Sequence, residues 1–362
     1  MAKSRSKPRP LAAIEERKQS HLALCAEEAV EYAEKTTLFE EVELVHDALP
    51  ELSIDEVDLS ETFFGKTLRA PLLITGMTGG TEQAYEVNRD LAALAEEYGL
   101  GFGLGSQRAM AVDPSKAWTY QVRAAAPSTV ILANIGLTQA ARHSTEEIEA
   151  LVAAVGADAL CVHLNPAQEL IQPEGDRDFR GGLATFARLA SQCSVPIIAK
   201  ETGCGISPSV AQRLMAAGVR VLDISGAGGT SWVKVETLRS HGPQQRLGQT
   251  LANWGIPTAA ALWALRGCGA DLIASGGLRT GLDLAKAIAM GARLCGAALP
   301  VFRAYQLGGK RAAAELIEDL LLSLQAAMLL CGARTLAELR QKPVVIGPKL
   351  AAWESALRSS IS

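Results

Sequence analysis

Asp271-Leu-Ile-Ala-Ser-Gly-Gly-Leu-Arg-Thr280, followed after one helical stretch by Met290-Gly-Ala-Arg-Leu-Cys-Gly-Ala-Ala-Leu299, decides the fold. Each is an apolar run that ends on glycine, and the segment between them, Leu282 to Met290, carries apolar residues at helical spacing. Strand, glycine turn, helix and strand make a unit with parallel strands. Glycines at a strand end let backbone N–H groups approach an anion, and a following helix start adds partial positive charge. In α/β barrels such a pair at the seventh and eighth strands forms the usual phosphate site. The alternative, that Gly276 and Gly277 merely turn the chain, leaves the second glycine motif at the next strand unexplained.

Upstream, six similar runs precede these two: Pro71 to Met77, Leu100 to Ser106, Val130 to Ile135, Ala159 to Asn165, Pro196 to Glu201 and Val219 to Ser225. Helical patterns such as Glu82 to Tyr98 and Pro208 to Ala217 separate them. A count of eight favours an α/β protein of the TIM (β/α)8 barrel type over an open sheet. Residues 230–255 read as a long loop after the sixth strand, lying over the barrel mouth. The spacing divides the chain into an N-terminal extension (1–69) packing on the barrel with its first residues disordered, the barrel itself (70–345) and a C-terminal tail (346–362). A helix is expected within the extension from Ser20 to Ala33.

Composition narrows the class. The chain is 48% hydrophobic with 33 glycines and 5% aromatics, which suits parallel strands joined by tight turns and excludes collagen-like, disordered and disulfide-scaffold proteins. A net charge of −4 gives no global reason to bind nucleic acid or an anionic membrane, so an anionic ligand needs a local site. The cysteines (Cys25, Cys161, Cys193, Cys204, Cys268, Cys295, Cys331) form no CxxC pair and read as reduced thiols in a cytoplasmic protein. The apolar run after the basic N-terminus, Leu11 to Ile14, is too short for a signal peptide, and charges interrupt every long apolar run.

Polar residues gather where the strands end. Lys200 closes an apolar strand, and a buried ammonium needs a partner: Glu201 is one candidate, an electron-rich ligand edge or a phosphate the other, and the second is favoured. His163 and Asn165 alternate on one strand face, with Gln168 and Glu169 in the turn above; together they suit a substrate oxyanion and one oxygen ligand for a divalent metal. A lone strand histidine is otherwise more often structural. Arg108, in Gly103-Leu-Gly-Ser-Gln-Arg-Ala-Met110, can fork a phosphate. Asp223-Ile-Ser-Gly-Ala-Gly-Gly-Thr-Ser-Trp232 places three glycines beyond the sixth strand, where backbone donors form an anion nest. By default Arg17, Lys18 and His21 form an ordinary solvated cluster.

In chain order, Arg17-Lys18-x-x-His21, Met77-Thr78-Gly79-Gly80, Gly105-Ser106-Gln107-Arg108, Asn134-Ile-Gly136, His163-x-Asn165-x-x-Gln168-Glu169, Lys200-Glu201, Ser225-Gly-x-Gly-Gly-Thr230 and Ser275-Gly-Gly-x-Arg279 resemble the motifs of the type 2 isopentenyl-diphosphate isomerases, from about Arg17 to Leu299. The combination is specific, although several motifs are common to flavin barrels. The resemblance implies FMN contacts from Gly76, Met77, Thr78, Ser106, Asn134, Lys200, Ser225, Thr230, Gly276, Gly277, Leu278, Arg279, Ala297 and Ala298. It implies substrate contacts from Arg17, Lys18, Ser106, Gln107, Arg108, His163, Asn165 and Gln168, with Gln168 and His163 catalytic and Glu169 the Mg²⁺ ligand. Reduced FMN, charged by NADPH, would serve as acid/base in isoprenoid biosynthesis, in a homotetramer or homo-octamer. Gln19-Ser20 stands where the family commonly has acidic residues.

Two rivals share the barrel. A flavin-dependent 2-hydroxy acid dehydrogenase or oxidase needs a histidine base beside an arginine clamp, and the sixth strand here ends in Ser-Gly-Ala-Gly-Gly without histidine. A non-catalytic phosphate-binding barrel would have to keep its inward polar set buried without a ligand.

Overall fold

The apolar runs form eight short parallel strands: β1 (Leu72–Ile74), β2 (Gly101–Gly103), β3 (Val130–Gly136), β4 (Ala159–Leu164), β5 (Ile197–Glu201), β6 (Val221–Asp223), β7 (Asp271–Ser275) and β8 (Leu294–Ala297). They close in the order β7-β8-β1-β2-β3-β4-β5-β6. The structure, a computed structural model, describes residues 11–359; the disorder expected of the first residues lies outside them.

Side-chain alternation sets the interior. Leu73, Leu132, Cys161, Ile198, Val221, Ile273 and Leu294 belong to one buried cluster. Strand residues two apart share a face, so Thr75, Asn134, His163, Lys200, Asp223, Ser275 and Gly296 form the next inward layer. The barrel interior therefore changes from apolar to polar within one step along almost every strand. Register aligns part of this layer laterally, with His163 beside Lys200 and Lys200 beside Asp223.

The N-terminal extension touches both ends of the barrel. Its helix, Leu11–Glu27, starts and stops earlier than the expected Ser20 to Ala33 and buries Ile14, Leu22 and Cys25. The following stretch runs along the loop after β6: Ser231 donates its N–H to the Val30 carbonyl, and Tyr32 donates to the Gly229 carbonyl. Further on, the hairpin Glu61–Phe63 and Lys66–Leu68 adds Phe63 and Leu68 to the apolar interior cluster and so closes the opposite end. Its turn, Phe64-Gly65, has positive φ at both residues, the geometry that matches strand twist in a tight hairpin.

The excursion after β6 holds two short helices, Trp232–Arg239 and Gly242–Thr250, within the stretch read as a loop. The segment read as a tail is folded as well. Val344–Ile346 pairs antiparallel with Val42–Leu44, and the helix Pro348–Ser359 presents Glu354 to Trp263 Nε1 and Arg266 at 2.8 and 2.7 Å. Among the described residues no helix is long and apolar enough to cross a membrane.

Candidate active site

The polar layer opens into a cavity at the C-terminal ends of the strands, the end where barrel enzymes place their chemistry. His163 donates from Nδ1 to the Asn134 side-chain carbonyl at 2.7 Å, because that oxygen can only accept. Burial, reinforced by Lys200, Arg17, Arg108 and Lys18, depresses its pKa to about 3. The imidazole is therefore neutral, with Nε2 an acceptor.

Lys200 is paired, but with Asp223 rather than Glu201: Nζ lies 2.8 Å from Asp223 Oδ2. Asp223 also accepts from the Ser275 hydroxyl. Glu201 instead folds onto its own loop, where one carboxylate oxygen accepts from the N–H groups of Thr202, Gly203, Cys204 and Gly205. Burial outweighs those four donors and raises its pKa to about 7.

Above β4, Pro166 starts the short helix Pro166–Ile171, which lifts Gln168 and Glu169 over the layer. Asn165 Nδ2 donates to Gln168 Oε1 and Glu169 Oε1, both at 3.2 Å. The Asp176 N–H reaches Glu169 Oε2 at 2.7 Å. Gln168 Nε2 donates to Glu236 Oε1 at 3.3 Å, and His21 Nε2 lies 2.9 Å from the same oxygen. Arg239 holds the other Glu236 oxygen at 2.5 Å. Burial opposes ionisation of Glu236, yet His21, Arg239 and Gln168 together overcome it and lower its pKa to about 2. Burial lowers the His21 pKa, although the hydrogen bond and charge of Glu236 act to raise it. The Trp232 ring meets His21 edge-on at 5.1 Å.

The N-terminal helix lays two cations across the mouth. Arg17 donates to Gln172 Oε1 at 3.0 Å, and Lys18 donates to the Ser106 carbonyl at 2.8 Å and the Tyr120 hydroxyl at 2.6 Å. Burial, then Arg17 and Arg108, holds the Lys18 pKa well below the ordinary lysine value.

Opposite, the loops after β6 and β7 touch main chain to main chain. A Cβ on Gly229 would sit 2.3 Å from Gly277 N, and one on Gly276 would sit 2.3 Å from Gly226 O. Such closeness admits only glycine. The helix after β7 does not supply its first N–H groups as expected, because Asp283 accepts from Arg279 and Thr280, and Gly281 donates to Ser323. At β8 the cavity wall includes Ala298 and Leu299, where the helix Leu299–Leu330 begins. Ser225 holds φ at 32°, a strained value for a side-chain-bearing residue at the cavity wall.

Of the residues singled out from sequence, Gly76, Met77, Thr78, Ser106, Arg108, Asn134, His163, Asn165, Gln168, Glu169, Lys200, Ser225, Thr230, Gly276, Gly277, Arg279 and Ala298 line this cavity with Arg17 and Lys18. Gln107, Leu278 and Ala297 do not. Gln107 is fully buried, donating to the Leu151 carbonyl and accepting from Asn134 N, so it braces loops. Ala297 follows inward Gly296 and so faces outward, and Leu278 is buried in the core. His21, Thr75, Gln139, Gln172, Trp232 and Ser275 also line the cavity.

The site accepts a flavin phosphate on observed grounds. Thr78 Oγ1 is buried without a hydrogen-bond partner, and Thr78, Gly276 and Gly277 all line the cavity. Comparison with known proteins agrees. Residues 164–346 match the FMN-dependent dehydrogenase family. The putative lactate oxidase of Pediococcus acidilactici superposes with a TM-score of 0.66 at 16% identity, covering 94% of this chain and 96% of that one, which shows the shared fold. Fold and site thus define an FMN-binding barrel enzyme. The isopentenyl-diphosphate delta-isomerase of Methanosarcina mazei is 45% identical over 335 residues, 91% of each chain. That of a Synechococcus species is 50% identical over 298 residues, 80% of this chain and 86% of its own. The chain belongs to the type 2 isopentenyl-diphosphate delta-isomerase family.

Proposed function

We propose that this enzyme interconverts isopentenyl diphosphate and dimethylallyl diphosphate on FMN, within isoprenoid biosynthesis. The observation that carries the reading is the convergence of Gln168, Glu169, His163 and Arg108 with Arg17 and Lys18 of the N-terminal helix, a strap over the barrel mouth, on one cavity that Gly276 and Gly277 also line. Moving the double bond adds a proton at one carbon and removes one at another, without net oxidation. Bound FMN, reduced by NADPH, supplies an acid/base suited to an unactivated alkene.

The chain's own residues bind and orient. Arg17, Lys18, Arg108 and Ser106 face the diphosphate; neutral His163 and Asn165 flank its bridging end. Gln168, tethered by Asn165 and Glu236, positions the reacting carbons. Lys200 and the backbone of Gly229 and Gly277 serve the flavin side, with Asn134, Thr78 and Thr230. Glu169 contributes one carboxylate to Mg²⁺. Among the described residues no group of three His, Cys, Asp or Glu side chains gathers there, so Mg²⁺ would take its other ligands from oxygens outside that set, such as diphosphate and water. The resemblance supports a cytoplasmic homotetramer or homo-octamer.

The test is anaerobic conversion of isopentenyl diphosphate with FMN, NADPH and Mg²⁺, omitting each in turn. Gln168→Ala and Glu169→Ala should each lose turnover while the purified protein stays yellow. Full activity in either would remove that residue from the mechanism. Oxidation of lactate or glycolate without isomerisation would favour the dehydrogenase reading.

A further inference from the structure

Lys18 owes its direction to a residue outside the motifs. Tyr120 ends the short 3-10 element Pro114–Tyr120 that follows the β2 loop, and its side chain is fully buried. Its hydroxyl donates to the Ser106 carbonyl at 2.9 Å and accepts from Lys18 Nζ at 2.6 Å. Lys18 donates to the same carbonyl at 2.8 Å, and its ammonium lies 5.1 Å from the Tyr120 ring centroid. An ammonium has three N–H donors; two are committed here to atoms fixed by the barrel, and the third remains for the cavity that Lys18 lines.

The glycines of Met77-Thr78-Gly79-Gly80 make room for this pair. A Cβ on Gly79 would lie 2.1 Å from the Tyr120 ring. One on Gly80 would approach the Tyr120 hydroxyl at 3.1 Å and Lys18 Nζ at 3.2 Å, and the Gly80 N–H is itself held by Thr119 Oγ1 at 3.1 Å. A second tie joins the same element to the strap: Lys116 Nζ lies 2.5 Å from Glu15.

We propose that Tyr120 is a positioning residue for diphosphate recognition, the post against which the N-terminal strap sets the Lys18 ammonium toward the substrate. This rests on the reading that Lys18 contacts the diphosphate. Tyr120 touches neither reacting carbon nor flavin in this scheme, so its loss acts on substrate binding and only through Lys18.

The experiment is a double-mutant cycle on the FMN-loaded enzyme with Lys18→Met and Tyr120→Phe, reading KM for isopentenyl diphosphate, kcat, flavin affinity and Tm. Phenylalanine keeps the ring and removes only the hydroxyl. Tyr120→Phe should raise KM about tenfold with flavin affinity unchanged, and should add nothing in the Lys18→Met background. Equal effects in both backgrounds, or a loss of flavin affinity or Tm matching the KM change, would make Tyr120 a packing residue and overturn the proposal. A raised KM in Lys18→Met beside an unchanged one in Tyr120→Phe would overturn it alone. An unchanged KM in Lys18→Met would remove the reading of Lys18 and this inference together.

Discussion

Lys200 and Asp223 are direct cross-strand neighbours on β5 and β6, and their charges meet at 2.8 Å inside the barrel. Parallel pairing places them side by side, while Glu201, next in sequence, must face the other way. The ammonium thus has a fixed counter-charge of its own and stands ready to donate to an electron-rich ligand edge as well.

Removing that counter-charge strands a buried cation. Asp223→Ala should lower stability by about 3 kcal/mol, seen as an earlier urea midpoint in the flavin-free protein. An unchanged midpoint would mean that Lys200 finds another anion.

Glu236 ties the strap to the catalytic turn through His21 and Gln168. Glu236→Gln removes the charge that gathers Arg239, His21 and Gln168, and should reduce kcat by roughly ten- to a hundredfold with the flavin absorbance intact. Wild-type kcat would show that Gln168 needs no such tether.

Glu201 predicts a pH trend. Its folded pKa of about 7 exceeds the ordinary carboxyl value, so the fold holds the proton more tightly than the unfolded chain does. The resulting stabilisation is complete below about pH 4.3, fades as pH rises to about 7 and is absent above, a change of about 3 kcal/mol. Glu201→Gln cannot ionise and keeps an acceptor for the four N–H groups. The Tm of the parent relative to Glu201→Gln should therefore fall between pH 5 and pH 8. A constant difference across that range would contradict the assignment.

Gly229 tests the flavin wall. Alanine there would collide with Gly277 N and push two loops apart. Loss of about two charge-assisted hydrogen bonds should weaken FMN by about a hundredfold, measured by flavin fluorescence quenching. Native affinity in Gly229→Ala would place the phosphate elsewhere.

Much of this was legible from sequence because a short apolar run closed by glycine has few readings when it recurs eight times. Seven of the eight strands lie within the runs assigned to them, and the third extends one residue beyond, to Gly136. The inward polar layer follows from alternation, and carrying that alternation from Leu73 and Ile273 would also have reached Thr75 and Ser275. The partner of Lys200 was not legible, since register between distant strands is set by barrel closure and not by chain neighbours. Glu236 and Trp232 sit in the connection after β6, where no strand end marks them. Gln107 was drawn into the site by its neighbours Ser106 and Arg108, although a buried amide serves equally well to brace two loops.

The main-chain contact between Gly226–Gly229 and Gly276–Gly277 also bears on how such a protein could evolve. Any side chain introduced there overlaps backbone, so this wall offers no gradual route to a different phosphate-bearing dye. Diversification is left to the rest of the rim, around Gln168, Trp232 and the N-terminal helix.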